Sequence, residues 1–166
     1  MLRSSRKVRW VVLLSLYVVG CQAASEPEGS LSEPDKEAIR GVFSNVVTAL
    51  RAQDWDAFTA TFAEDVVFHP ANAPALHGRE ELKNWVSQGP KPTSAFDFTN
   101  VEVIGQGNFA FATSDIAMNL EGVPADKGKQ LVVLRKEPSG EWKTVAVSFN
   151  SDTPMQAPPP PPSTTR

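Results

Sequence analysis

One carboxylate stands in the middle of an apolar stretch whose side chains alternate with period two. Asp115 shares one side of this predicted strand with Phe111 and Thr113, because successive side chains of a strand point to opposite faces. A carboxylate in an apolar cleft is a typical general base, so Asp115 is a candidate catalytic residue. The alternative is an aspartate at a strand edge that is solvated or paired with Arg135 or Lys136.

A histidine provides a second candidate for proton transfer. His69 ends a short apolar run, and histidine is the side chain that most readily changes charge near neutral pH. The alternative is an exposed histidine at the rim of the fold. The other histidine, His77, is separated from it by two prolines and has no carboxylate at helical spacing, so we expect no metal site.

Motifs for nucleotide binding and for a serine nucleophile are not found in the sequence. The run 105–107 (GQG) lacks the third glycine of a dinucleotide-binding loop and lies between two predicted strands, so it predicts a turn. There is no Gly-x-Ser-x-Gly sequence, which the nucleophile elbow of many hydrolases requires. We therefore expect no cofactor.

The only cysteine, Cys21, follows a leader that is typical of exported proteins. Residues 1–9 are basic, and the apolar run 10–19 is too short to cross a bilayer, which needs about 20 residues. The junction VVGC resembles the lipobox of bacterial lipoproteins, whose cysteine is acylated. We predict a lipoprotein signal peptide over 1–20. We also predict a palmitate-type acyl chain on Cys21, which attaches the exported protein to a membrane on its periplasmic or cell-surface side. Gln22 resembles the non-acidic residue that follows the cysteine in lipoproteins sorted to the outer membrane. The alternative to a lipoprotein leader is an ordinary signal peptide.

The remaining composition fits one domain with two tails. The chain has 166 residues, 16 of them basic and 19 acidic, so its net charge of -3 does not favour nucleic acid as a partner. Residues 21–32 are small and polar and predict a flexible tether. Residues 154–166 include five consecutive prolines and predict a disordered tail that favours polyproline II. The folded domain is therefore expected over residues 33–153.

Helices precede strands in the middle of the chain. Ser32, followed by Pro34 and Asp35, predicts the start of a helix, and a second, short helix begins at Asp54. A β-segment over 66–69 and a third helix follow, and after residue 92 the period changes to two. The spacing predicts a third helix over 78–86 and strands over 95–104, 109–120, 129–136 and 141–150. This order favours an α+β fold in which helices cover one face of a curved sheet.

Several short sequences in this order carry a resemblance to a known family. They are ALRAQDWDA over 49–57, FAEDVVF over 62–68, PALHGRE over 74–80, GEWK over 140–143 and FNSD over 149–152. The chain resembles the SnoaL-like branch of the nuclear-transport-factor-2-like superfamily over roughly residues 33–153. This superfamily contains isomerases, cyclases and hydratases as well as proteins that only bind, so the likeness does not assign an activity.

The resemblance implies a cone-like fold with a pocket. Three N-terminal helices would pack on a strongly curved antiparallel sheet and close an apolar pocket at its wide end. The resemblance places Asp115, Thr113 and Phe111 on the pocket face of their strand and His69 beside the pocket mouth. Trp85 in the third helix is a candidate for the pocket wall.

The catalytic groups of the ketosteroid isomerases in this superfamily are missing from the corresponding positions. Those enzymes use a tyrosine, a carboxylate base and a protonated aspartate. By alignment, the tyrosine corresponds to Val46, the base to His69 or Pro70, and the aspartate to a position near Val132. We therefore do not expect steroid isomerisation by that mechanism.

Three functions from different classes remain open on the sequence. The preferred interpretation is a lipid-anchored extracytoplasmic domain that binds a small apolar molecule in the cone pocket. The second is a cofactor-independent isomerase or cyclase in which Asp115 is the base and His69 assists. The third is a protein-interaction module that uses the convex face of the sheet to form a homodimer or to dock a partner.

Overall fold

A computed structural model describes residues 29–154 of the chain. The predicted signal peptide, Cys21 and nearly all of the proline-rich tail lie outside the described residues. The three helices are α1 (Glu33–Ala52), α2 (Trp55–Ala60) and α3 (Gly78–Gln88). The six strands are β1 (Phe62–His69), β2 (Leu76–His77), β3 (Asp97–Gln106), β4 (Phe109–Met118), β5 (Asp126–Lys136) and β6 (Trp142–Ser151).

Helix α1 forms because its ends are capped and one of its faces is apolar. Asp35 donates its backbone N–H to the side-chain oxygen of Ser32 at 3.2 Å, and Pro34 occupies the first turn, where its missing N–H is not needed. Gln53 ends the helix in the left-handed conformation with φ of 55°. The face between these caps is buried and includes Ile39, Phe43, Val46, Val47 and Leu50.

All six strands belong to one sheet in the order β2-β1-β6-β5-β4-β3. Strands β3 to β6 form the antiparallel meander that the turn signals predict. Strand β1 pairs with β6 in parallel and carries the two-residue β2 on its other edge. The result is the predicted α+β cone with three helices on a curved sheet. It differs from the predicted antiparallel sheet in the parallel β1–β6 pairing and in the short strand β2, which was not predicted.

Irregular strand pairing bends the sheet around α1. Strand β3 has a one-residue bulge between Thr99 and Glu102, and Asn100 within it is left-handed with φ of 54°. The β5–β6 ladder shifts register at Val133 and Leu134. Bulges bend a strand and increase its twist, so the sheet is concave on the side that faces the helices.

The fold begins before the predicted end of the tether. Leu31 is buried, and Ser30 forms an isolated antiparallel bridge with Gln106. Gly107 donates its N–H to the carbonyl of Gly29 at 2.9 Å. The segment 29–32 therefore packs against the β3–β4 turn and belongs to the domain rather than to a flexible tether.

Both ends of α1 are fixed to other elements by polar contacts. At its N-terminal end, Asp35 accepts hydrogen bonds from Lys136 Nζ at 2.6 Å and from Trp142 Nε1 at 3.0 Å, which joins the helix to β5 and β6. At its C-terminal end, Arg51 Nη2 and Nε donate to the carbonyl of Phe96 at 2.7 and 3.1 Å. The middle of α1 is therefore held across the concave face of the sheet.

We predict that the N-terminal contact makes stability depend on acidity below pH 4. Hydrogen bonds from Lys136, Trp142 and Ser32 lower the pKa of Asp35 from its ordinary 3.8 to about 2. A carboxyl with a depressed pKa stabilises the fold above its unfolded-state pKa, and this stabilisation is lost as pH falls through the folded-state value. Urea unfolding should therefore show Asp35→Asn to be less stable than wild type by about 1–2 kcal/mol at pH 6 and by less near pH 2.

The matched control is Glu33→Gln in the same helical turn. Glu33 forms a salt bridge with Lys36 on the surface, and its side chain is 74 % exposed, so its removal should change stability much less than Asp35→Asn does. Equal effects of the two substitutions at pH 6 would show that Asp35 does not fix the helix.

Candidate functional site

A cavity of about 200 Å³ lies between α1 and the concave face of the sheet. Its wall contains the inward side chains of α1 together with residues of α2, α3 and all strands except the two-residue β2. Phe43 packs edge-on against Phe98 at 5.7 Å between ring centroids, which closes one side of the wall. The cavity exists because α1 is held across a bent sheet whose centre it does not fill.

Aromatic side chains surround the open end of the cavity. Trp85 of α3 lines it, is 42 % exposed, and lies 5.8 Å from the ring of Phe68. The ring of Phe149 on β6 also lies 5.8 Å from the ring of Phe68. Trp55 lines the cavity as well, and Lys91 stands 5.0 Å from its ring centroid without reaching the cavity itself. Flat, partly exposed rings of this kind suit contact with an apolar guest.

The inner wall carries very few polar side chains. Gln130 on β5 and Thr144 on β6 line the cavity, and both are buried. Gln130 Nε2 donates a hydrogen bond to Ser114 Oγ on β4 at 3.0 Å. Among the described residues that line the cavity, none has an acidic, basic or histidine side chain. The site therefore offers apolar surface and neutral hydrogen-bonding groups.

The positions that correspond to the isomerase residues fit this apolar character. Val46 and Val132, at the positions of the tyrosine and near that of the aspartate, both line the cavity. His69 is exposed at the end of β1 and is not in the lining. Pro70 is buried but has no proton to transfer.

The expected placement of Asp115, Thr113 and Phe111 on the pocket face is wrong. The alternation of β4 does put these three residues on one side, but that side is the outer face of the sheet. Burial alternates along β4 so that Ala112, Ser114 and Ile116 are buried and point inward, whereas Phe111 and Thr113 are exposed.

Asp115 has a structural partner on the outer face. Its Oδ2 accepts a hydrogen bond from Asn100 Nδ2 at 2.6 Å, and Lys129 is its cross-strand neighbour on β5. Asn100 is the left-handed residue of the β3 bulge. Asp115 thus ties β4 to the bulge that bends the sheet, and its predicted partners Arg135 and Lys136 contact Asp65 and Asp35 instead.

Of the residues predicted to line the pocket, Trp85 does line the cavity. Neither histidine is part of the lining. His77 is exposed beside the start of α3, where its backbone N–H donates to Glu81 Oε2 at 2.7 Å. In residues 29–154, no three histidine, cysteine or carboxylate side chains converge as a metal site would require.

Sequence reasoning missed Gln130, Thr144 and Ser114. A signal for Gln130 was present, since it has the same parity as Val132 and Leu134, the buried residues of β5. A glutamine in the apolar phase of a strand is unusual enough to indicate a polar group that faces the core. Thr144 gave no such signal, because the register shift in the β5–β6 ladder changes the alternation of β6.

The outer face of the sheet exposes a group of large apolar side chains. Their exposed fractions are 60 % for Ile104, 55 % for Phe109, 43 % for Phe111 and 46 % for Leu131. Ile104 pairs with Phe111 across β3 and β4, so members of the group are neighbours. We call these four residues the outer patch.

Comparison with known proteins gives one family match. The profile of the SnoaL-like domain matches residues 43–147, which contain the second half of α1 and most of β6. No curated protein sequence matches the chain. Within residues 29–154, no helix is both long enough and apolar enough to cross a membrane.

Solved structures with the same fold are numerous. A protein of unknown function from Pseudomonas putida, described as NTF2-like, superposes with a TM-score of 0.65 at 17% identity over 76% of this chain and 92% of its own. A ketosteroid isomerase-like protein from Erwinia carotovora gives 0.62 at 23% identity over 74% of this chain and 100% of its own. A cystatin-like fold protein of unknown function from Nostoc punctiforme gives 0.62 at 21% identity over 74% and 94%. At these identities the likeness concerns the fold alone.

Proposed function

Because the chain belongs to the SnoaL-like domain family, we propose that its cone pocket binds a small apolar molecule and that binding, rather than catalysis, is its function. The observation that carries this proposal is the cavity of about 200 Å³ whose described lining is apolar except for neutral side chains. An engineered apolar cavity of about 150 Å³ in another protein is large enough for benzene. The volume therefore suits one substituted ring or a molecule of similar size.

The cofactor-independent isomerase or cyclase is less well supported than binding. That alternative needs a general base within hydrogen-bond distance of the bound substrate. Asp115 is on the opposite face of β4 and bonds to Asn100, and His69 is outside the lining. The residues at the isomerase positions, Val46 and Val132, carry no group that transfers a proton.

We also propose that the domain is exported and held at a membrane by two or more acyl chains carried by Cys21. The support comes from the sequence: a basic start, an apolar run of h-region length, and Gly20 before the only cysteine. Two or more acyl chains give stable anchoring, since each buried CH₂ contributes about 0.8 kcal/mol. The leader precedes the segment at Gly29 that joins the fold, so the anchor would not disturb the described domain.

The outer patch favours a second role, homodimerisation through the sheet face. Large apolar side chains that lie together on a surface often mark an interface with another protein. Ile104, Phe111 and Leu131 lie on three adjacent strands, which gives a surface that can pack against its own copy about a two-fold axis. This interface would leave the cavity, on the other side of the sheet, accessible.

We predict that the apolar probe ethylbenzene binds in the cavity with saturable heat in calorimetric titration. All the helices and strands that the structure describes lie within residues 29–154, so the chain without residues 1–21 is suitable for the measurement. Met118→Trp should lower the affinity at least about tenfold, since the larger ring occupies space at the open end of the cavity. Thr113→Trp, on the opposite face of the same strand, is the control and should leave the affinity unchanged. If both variants bind ethylbenzene as wild type does, the guest is somewhere else.

For the anchor, we predict that cells fed a clickable palmitate analogue label the wild-type chain and do not label Cys21→Ser. The unlabelled variant should appear in the soluble fraction, because no other membrane attachment is expected. A Cys21→Ser protein that remains membrane-bound without label would contradict lipid anchoring through this residue.

For the homodimer, we predict that light scattering on the chain without residues 1–21 gives twice the monomer mass at micromolar concentration. Leu131→Lys places a charge within the outer patch and should give a monomer, because an unpaired buried charge is costly. Thr99→Lys, on the same face but outside the patch, should remain a dimer. A wild-type monomer would exclude the sheet face as a homodimer interface under these conditions.

A further inference from the structure

The inner wall of the cavity has one side chain whose hydrogen-bonding capacity is only half used. Gln130 is 8 % exposed, and its Nε2 donates to Ser114 Oγ at 3.0 Å. Within residues 29–154, Oε1 of the same amide accepts no hydrogen bond. No fully enclosed side-chain nitrogen or oxygen among the described residues lacks a partner, so this oxygen borders open space. Since Gln130 lines the cavity, that space is the cavity.

The neighbours of Gln130 fix the direction of its amide. In the sheet register, Ser114 and Phe149 lie on either side of Gln130, on β4 and β6. The bond to Ser114 holds the nitrogen towards β4, so the oxygen is the atom left for a guest. A carbonyl oxygen has two lone pairs, and in an apolar cavity a bound molecule with an O–H or N–H group can satisfy one of them.

The charge of the guest follows from the rest of the wall. The described lining contains no acidic or basic side chain that could pair with an ionic group. Burying an unpaired ammonium or carboxylate in such a site costs more than one hydrogen bond returns. The guest that fits is therefore neutral.

We propose that the cavity selects a neutral apolar molecule of about one ring that carries a hydrogen-bond donor, most simply a hydroxyl, and that Gln130 Oε1 accepts from it. This inference rests on the proposed binding function and adds the chemical class of the ligand and the residue that recognises it. Ser114 acts as a positioning residue that orients the amide.

The test uses four small molecules built on the same phenyl ring: ethylbenzene, α-methylbenzyl alcohol, acetophenone and α-methylbenzylammonium. Affinities are measured by calorimetric titration of the chain without residues 1–21. We expect the alcohol to bind about tenfold more tightly than acetophenone, which accepts but does not donate, and more tightly than ethylbenzene. We expect no saturable binding of the ammonium ion.

Two variants assign this preference to Gln130. Gln130→Leu should reduce the affinity for the alcohol about tenfold and change that for ethylbenzene less than about threefold. The double variant Gln130→Leu/Ser114→Ala removes both partners of the buried bond, so it keeps the test valid if the single variant is unstable. Lys127→Gln, on the exposed side of the same strand, is the control. It should give the same result as wild type with each of the four compounds.

The outcomes separate this inference from the function on which it rests. If ethylbenzene and the alcohol bind equally in wild type and in both variants, the pocket is a binding site but Gln130 does not recognise a donor. If acetophenone binds as tightly as the alcohol, the hydroxyl class is wrong. If none of the four compounds binds, the proposed binding function itself fails.

Discussion

Helix α1 is fixed to other elements at both of its ends, and its middle does not fill the space over the centre of the sheet. The cavity depends on this arrangement. Asp35 joins the first turn to Lys136 and Trp142, more than a hundred residues later in the chain, and Arg51 joins the last turn to the carbonyl of Phe96. Between these contacts the sheet bends away, because β3 carries a bulge and the β5–β6 ladder shifts register. A helix on a flat sheet would close this space with side chains, whereas a helix that spans a concave sheet leaves it empty.

The sequence was informative where one local rule decides the outcome. The cap at Ser32 predicts the start of α1, and period-two alternation predicts strands β3 to β6. Alternation also grouped Asp115 with Thr113 correctly, but it does not say which side of a strand is inside. On β4 the usual guide misleads, since the inner face carries Ala110 and Ala112 and the outer face carries phenylalanines. Small residues face inward there because the backbones of β3 and β4 pack closely: a Cβ added at Gly105 would lie 2.7 Å from the Cα of Ala110.

Other features could not be predicted because they depend on contacts between distant parts of the chain. The parallel pairing of β1 with β6 joins residues 62–69 to the last strand, and no local pattern records which strands become neighbours. The alternation of side chains along β3 does not reveal the bulge at Asn100 unless the pairing of β3 with β4 is known. The role of Asp115 follows only from that bulge, which is why an aspartate in an apolar strand suggested chemistry when its contact is structural. Gln130 is the converse case, since a polar residue in the buried phase of a strand does face the pocket.

The contact between segment 29–31 and the β3–β4 turn fixes the end of the domain at which the N-terminal part of the chain enters. The turn lies at one end of β4, and Met118, which lines the cavity, lies at the other end, about 30 Å away. In the proposed lipoprotein, the chain that carries the anchor would therefore enter the domain at the end away from Met118, and the attachment would leave this part of the cavity wall uncovered.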